Sequence, residues 1–166
     1  VWLGLGITVF GFAGVFALYT YIEPLLRQVT HMSDGWVTAT LLLFGAGLAA
    51  GKLLGGRLAD KGVMRALAGR IGALLVTLAL GRWAFGQPGV AMTYVVLLGT
   101  VAFATVAPMQ MRVLQQAGAA GANLASSLNI SAFNLGNALG AWVGGLVLSH
   151  GFGLLSLGWA AAGLTA

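Results

Sequence analysis

Six long apolar runs, separated by charge, proline, glycine or histidine, leave this chain very few folds. They cover roughly residues 2–22, 35–54, 66–85, 90–111, 122–148 and 152–166. A run of about 20 residues, coiled as an α-helix, spans the ~30 Å hydrocarbon core of a bilayer. Only helices and closed barrels satisfy every backbone polar group in lipid, and these runs lack the two-residue alternation of barrel strands. The expected fold is therefore all-α and integral to the membrane, with six transmembrane helices. Composition agrees: 59% of residues are hydrophobic and 7% charged, where a soluble domain carries about 25% charged residues. The breakers have physical reasons. Pro24 has no amide donor, Ser33-Asp34 suits the start of the second helix, and Gln87-Pro88-Gly89 is turn chemistry.

The net charge of +5 would suggest nucleic-acid binding in a soluble protein. Here the cations sit between apolar runs and report topology instead, so the expected partner is the lipid bilayer and not nucleic acid. If the first helix starts from the cytoplasmic side, the inward segments hold Lys52, Arg57, Lys61, Arg65, Arg70 and Arg112, and the outward ones only Arg27 and Arg82. Six against two favours that orientation. Cysteine is absent, which removes disulfides, thiolate metal sites and a Cys nucleophile. His31 and His150 fall in outer loops, too isolated for a metal, so neither metal nor cofactor is expected. The chain opens on Val1-Trp2-Leu3 inside an apolar run, and its last run is short of a full span. Both ends read as those of an excerpt, with the last span cut.

The second and fifth helices share the pattern G-x-A-x-G-x-x-x-G-G, carried by Gly47, Gly51 and Gly55 in one and by Gly136, Gly140 and Gly144 in the other. Small residues every four positions put a bare stripe on a helix and let a neighbouring backbone approach closely. Two helices three apart in order run in opposite directions, which is what a three-plus-three inverted repeat gives. Chance is the competing explanation, since glycine fills 27 of 166 positions.

The segment Gly55-Gly56-Arg57-Leu58-Ala59-Asp60-Lys61-Gly62 resembles the loop signature of the major facilitator superfamily in its second-half form. It departs from the pattern in that Gly62 comes one position early and Val63-Met64 occupy places usually basic. Tyr19 to Leu26 and Asn123 to Gly140 resemble the arabinose-type and sugar-type efflux branch of the drug:proton antiporter-1 family, and the resemblance runs over essentially the whole chain. It implies the C-terminal six-helix half of a twelve-helix exporter in a bacterial inner membrane, whose partners would be the absent N-terminal half, a small solute and protons. The second and fifth helices, with their glycine stripes, would line the contact with that other half. Arg57, Asp60 and Lys61 would form a cytoplasmic gate; the bland alternative is a solvated turn.

Several residues are candidates for the substrate path. Polar groups at membrane depth need partners or a water-filled cavity, and the fifth helix offers Asn129, Asn134 and Asn137, which serve equally well as interhelical glue. Phe12, Phe16 and Tyr19 on the first helix are candidate cavity-lining aromatics, with lipid contact as the alternative. Gln110, near the end of the fourth, is placed to meet a polar solute. An intramembrane serine protease built on Ser127, Ser131 and His150 fails because no G-x-S-x-G surrounds either serine, so no enzyme is expected. The leading expectation is secondary active export by alternating access; the alternative is a noncatalytic membrane assembly subunit, for which the stripes alone would suffice. A lone cysteine at position 61 should react with an impermeant thiol reagent only from the cytoplasmic side and one at position 31 only from outside; the reverse pattern would overturn the orientation.

Overall fold

The computed structural model describes residues 1–59 and 63–166, and every regular element among them is helical. Four helices are long and apolar enough to cross a membrane, and two shorter apolar helices accompany them. In chain order these six apolar segments, numbered below as the first to sixth spans after the runs they occupy, are Trp2–Val29, Asp34–Arg57, Ile71–Ala84, Pro88–Gly118, Ala120–Ser149 and Leu154–Thr165. The third belongs to a helix that begins at Val63.

Local chemistry explains where the spans break. The α-helix Trp2–Tyr19 is interrupted four residues before Pro24, because a proline ring clashes with the carbonyl four positions back and offers it no donor. The chain resumes as Ile22–Pro24 and then widens into a π-turn over Leu25–Val29, closed by the Thr30 amide donating to the Leu25 carbonyl at 3.1 Å. Pro108 acts likewise on the fourth span, where the helix Pro88–Ala104 yields to a new one at Val106. The sequence places a loop over residues 112–121, but helix continues to Gly118, where φ is 67° and ψ 176°. Only glycine adopts that conformation readily, so one residue supplies the corner between the fourth and fifth spans.

Packing rests on two ladders. A Cβ placed on Gly47 would lie 2.5 Å from the Val96 carbonyl oxygen and one on Gly55 2.7 Å from that of Ala104, with Gly51 meeting the Thr100 carbonyl between them. The second span thus lies parallel on the fourth, one glycine per turn against one carbonyl per turn. The fifth span repeats the device on the first. A Cβ on Gly136 would lie 2.6 Å from the Val9 carbonyl oxygen and one on Gly144 2.9 Å from that of Ala17, with Gly140 meeting the Ala13 carbonyl between them. The stripes themselves are therefore occupied by neighbours within the chain, which corrects their assignment to a contact with another half. The rest of the second span is different, for Gly45 and Gly56 have nothing within 4 Å.

The remaining spans pack outside these pairs. A Cβ on Gly158 of the sixth would lie 3.0 Å from the Leu78 carbonyl oxygen of the third, one on Gly14 of the first 2.5 Å from that of Ala161 of the sixth, and one on Gly81 would meet Tyr94 of the fourth. The core between them holds Val15, Leu18, Leu74, Leu78, Phe85, Val95, Leu98 and Leu157. Trp36, Leu42, Trp83, Trp142 and Trp159 stay exposed, as lipid-facing residues do.

Ladder glycines have no room for even a methyl group, and overpacking costs roughly 1–3 kcal/mol. Gly51→Ala and Gly140→Ala should each lower unfolding stability in detergent by about that amount, whereas Gly72→Ala, with nothing within 4 Å, should leave it unchanged or raise it. Equal stability of all three variants would show that the ladders do not hold the fold.

Candidate substrate-facing site

The ladders fix the register of the side chains beside them. Phe12, between Val9 and Ala13 on the first span, is brought to 4.3 Å from Phe133 of the fifth, ring centre to ring centre, and to 6.2 Å from Phe103 of the fourth. Phe103 in turn meets Phe44 of the second at 6.3 Å, and Phe44 stacks on Tyr19 at 4.4 Å with ring planes 24° apart. Phe16 closes the cluster, edge-on to Tyr19 at 5.7 Å and to Phe133 at 6.0 Å. Four spans therefore converge on six rings, within the 4.5–7 Å geometry that favours edge-to-face pairs or near it. Phe12 and Phe44 are buried; the other four are partly exposed. Phe12, Phe16 and Tyr19 thus join one cluster. Phe44, Phe103 and Phe133 were missed, because a lone phenylalanine in an apolar run carries no signal until the register of its neighbours is known.

Lys52 was also missed as a site residue, counting only toward topology. Its Nζ stands 5.7 Å from the centre of the Phe103 ring, in cation–π geometry. The ladder puts it there: Gly51 and Gly55 draw the second span onto Thr100 and Ala104, so the adjacent positions 52 and 103 face each other.

The polar candidates divide. Asn129 is buried; its Oδ1 accepts from Thr8 Oγ1 at 2.8 Å and its Nδ2 donates to Gln110 Oε1 at 2.5 Å, while Gln110 Nε2 donates to Ser126 Oγ at 2.9 Å. Asn129 and Gln110 therefore face each other rather than an open path, a correction to their candidacy as solute contacts. The reason is that in an apolar interior a polar group does best with a polar partner on the next helix. Asn134 is exposed on the fifth span, in a stripe with Asn123, Ser127 and Ser131. Both serines turn back on their own helix, to the carbonyls of Asn123 and Ser127 at 3.1 Å. Asn137 lies one turn beyond Phe133, and its Oδ1 is buried without a hydrogen-bond partner.

Of the expected gate, Arg57 is exposed at the end of the second span, and Asp60 and Lys61 lie outside the described residues. At the opposite end Arg27 bonds both Glu23, at 2.8 Å, and Asp34. Among the described residues no group of acids, histidines or cysteines could hold a metal. Two apolar grooves, of about 620 Å³ beside Phe10 and Ile71 and about 590 Å³ beside Trp83 and Val90, lie away from the aromatic cluster and offer little chemistry.

Residues 1–141 match the family described as the Major Facilitator Superfamily. The chain is 48% identical over 147 residues to the inner membrane transport protein YdhP of Escherichia coli K12, covering 88% of this chain and 37% of that protein. It is 33% identical to a chloramphenicol resistance protein of Streptomyces lividans, covering 93% of this chain and 39% of that protein. With the purine ribonucleoside efflux pump NepI of Salmonella paratyphi B the identity is 32%, over 87% of this chain and 36% of that protein. The chain thus spans well under half the length of these relatives. A family match over most of its residues, on an all-helical membrane-type fold, shows that this chain belongs to the major facilitator superfamily.

Proposed function

We propose that the chain works as the C-terminal half of a proton-coupled exporter of small solutes, by alternating access, in a bacterial inner membrane. The observation that carries the reading is the pair of glycine ladders. Shifting by three spans turns the second-on-fourth contact into the fifth-on-first contact, and it carries Gly47, Gly51 and Gly55 onto Gly136, Gly140 and Gly144 and Val96, Thr100 and Ala104 onto Val9, Ala13 and Ala17. A three-plus-three inverted repeat accounts for that correspondence in contacts as well as in sequence. Backbones locked this closely move as one body, as rocking of one half against another requires. The first helix then starts from the cytoplasm, and Arg57, Asp60 and Lys61 form the gate at that face. Phe16, Tyr19, Asn134 and Asn137 remain the proposed solute contacts.

Relatives named for chloramphenicol resistance and for purine ribonucleoside efflux support ring-containing solutes as first probes, and the aromatic cluster suits their faces. The full-length protein in proteoliposomes should export one of them when a pH gradient is imposed. Phe16→Ala and Tyr19→Ala should lower the rate roughly tenfold with insertion unchanged, as loss of about 1.4 kcal/mol of contact predicts. Absence of export under any gradient would sink the reading.

The coupling carboxylate belongs to the other half. Glu23 and Asp34 are exposed and engaged by Arg27 at one end of the bundle, not at mid-depth, where a coupling group must meet solute and water in turn. Glu23→Gln and Asp34→Asn, matched for expression, should keep proton-driven export. Loss of it in Glu23→Gln, with solute exchange intact, would place the coupling site in this chain.

A further inference from the structure

We propose that Lys52 and the aromatic cluster form a binding site for an amphiphile that joins a ring system to an anionic group. This deepens the exporter reading and rests on it for what binding leads to. Lys52 falls five residues before Arg57, inside the second span, where about 7 Å of helix separates the two cations. A charged side chain within an apolar span is costly and marks function unless something neutralises it. The two described carboxylates do not, since Glu23 and Asp34 are held by Arg27 at the far end of the first span and the start of the second.

What Lys52 has instead is the face of Phe103, at 5.7 Å. Cation–π contact stabilises the ammonium without using its three N–H donors. Lys52 is exposed, so those donors stay open to a ligand. Phe103 is partly exposed and packs on the buried Phe12 and Phe44, and Phe16, Tyr19 and Phe133 of the same cluster are partly exposed too, giving apolar and π surface that begins where the charge sits. At the other end of the cluster, one turn from Phe133, the buried Asn137 Oδ1 lacks a donor and suits a hydroxyl or amide hydrogen on the ligand body. A carboxylate, sulfonate or phosphate on Lys52 with its ring system over the aromatics satisfies all three features. A cationic amphiphile, the ordinary guest of aromatic cages, meets like charge here.

The alternative is a lysine that only extends its amine toward the nearby membrane surface, indifferent to any solute. Equilibrium binding of 2-naphthoate and of its neutral isostere 2-naphthamide to the full-length protein in nanodiscs separates the two. The expected result is naphthoate bound at least about tenfold more tightly, a preference abolished by Lys52→Gln with naphthamide affinity unchanged and largely kept by Lys52→Arg. Phe103→Leu should weaken both probes alike. Equal affinities in the unmodified protein, no naphthoate binding, or a preference that survives Lys52→Gln would each overturn the proposal. Because the readout is binding, it stands apart from the exporter reading: the expected binding pattern in a protein that exports nothing would sink transport alone, and export without the preference would sink this site alone.

Discussion

Between helices in a bilayer there is no hydrophobic drive, because lipid tails are as apolar as leucine; what remains is dispersion, and dispersion rewards contact at the shortest range. Everything else in this chain depends on how that range is reached. Three glycines on the second span and three on the fifth let a neighbouring carbonyl sit where a Cβ would stand, and Cα–H to carbonyl contacts add a weak electrostatic term at each step. Both ladders are parallel pairings with one rung per turn. A slip of one residue would bring side chains such as Leu48 or Leu139 onto the carbonyls, so the register is defined by sterics alone.

That register decides which side chains meet. Lys52 lies over Phe103 because Gly51 and Gly55 hold their span to the Thr100–Ala104 turn, and Phe12 meets Phe133 because Gly136 is seated against Val9 and Phe12 itself. The aromatic cluster is thus a product of the ladders: the second and fourth spans supply Phe44 and Phe103, the first and fifth supply Phe12, Phe16, Tyr19 and Phe133. The third and sixth spans contribute no ring to it. They brace the first and fourth from outside through Gly14, Gly81 and Gly158.

Much of the fold was legible because the bilayer imposes it. Apolar length gives the helices, and Pro24 gives the break that ends the first, whereas the break before Pro108 falls inside a run that reads as one unbroken span. Gly118 was harder: glycine is common throughout, and nothing in the sequence marks this one as adopting a positive φ inside an apparent loop. The stripes were legible as packing surfaces but not as to partner, since a stripe states how close a neighbour comes and not which neighbour it is. The site was less legible still. Asn129 and Gln110 looked like solute contacts because polar residues at depth need partners, and only the register reveals that they are each other's. Asn134 and Asn137, on the same helix and of the same type, differ from Asn129 solely in what the ladder turns toward them.

The polar inventory that remains is divided by end in a way that bears on how such a unit holds together while it moves. The chain Thr8–Asn129–Gln110–Ser126 joins the first, fourth and fifth spans through neutral bonds, with Asn129 and Thr8 buried. Neutral bonds in an apolar interior are not screened by salt and keep their partners, because each broken one leaves a group unsatisfied in hydrocarbon. The Arg27 triad at the other end is exposed, and ion pairs of that kind are screened by water and weaken with salt. Three spans are therefore tied firmly at the Gln110 end, while the turn between the first and second is held by bonds that exchange readily with water. The Arg27 end, where the π-turn and the Pro24 break already interrupt the helix, is thus the less firmly tied of the two.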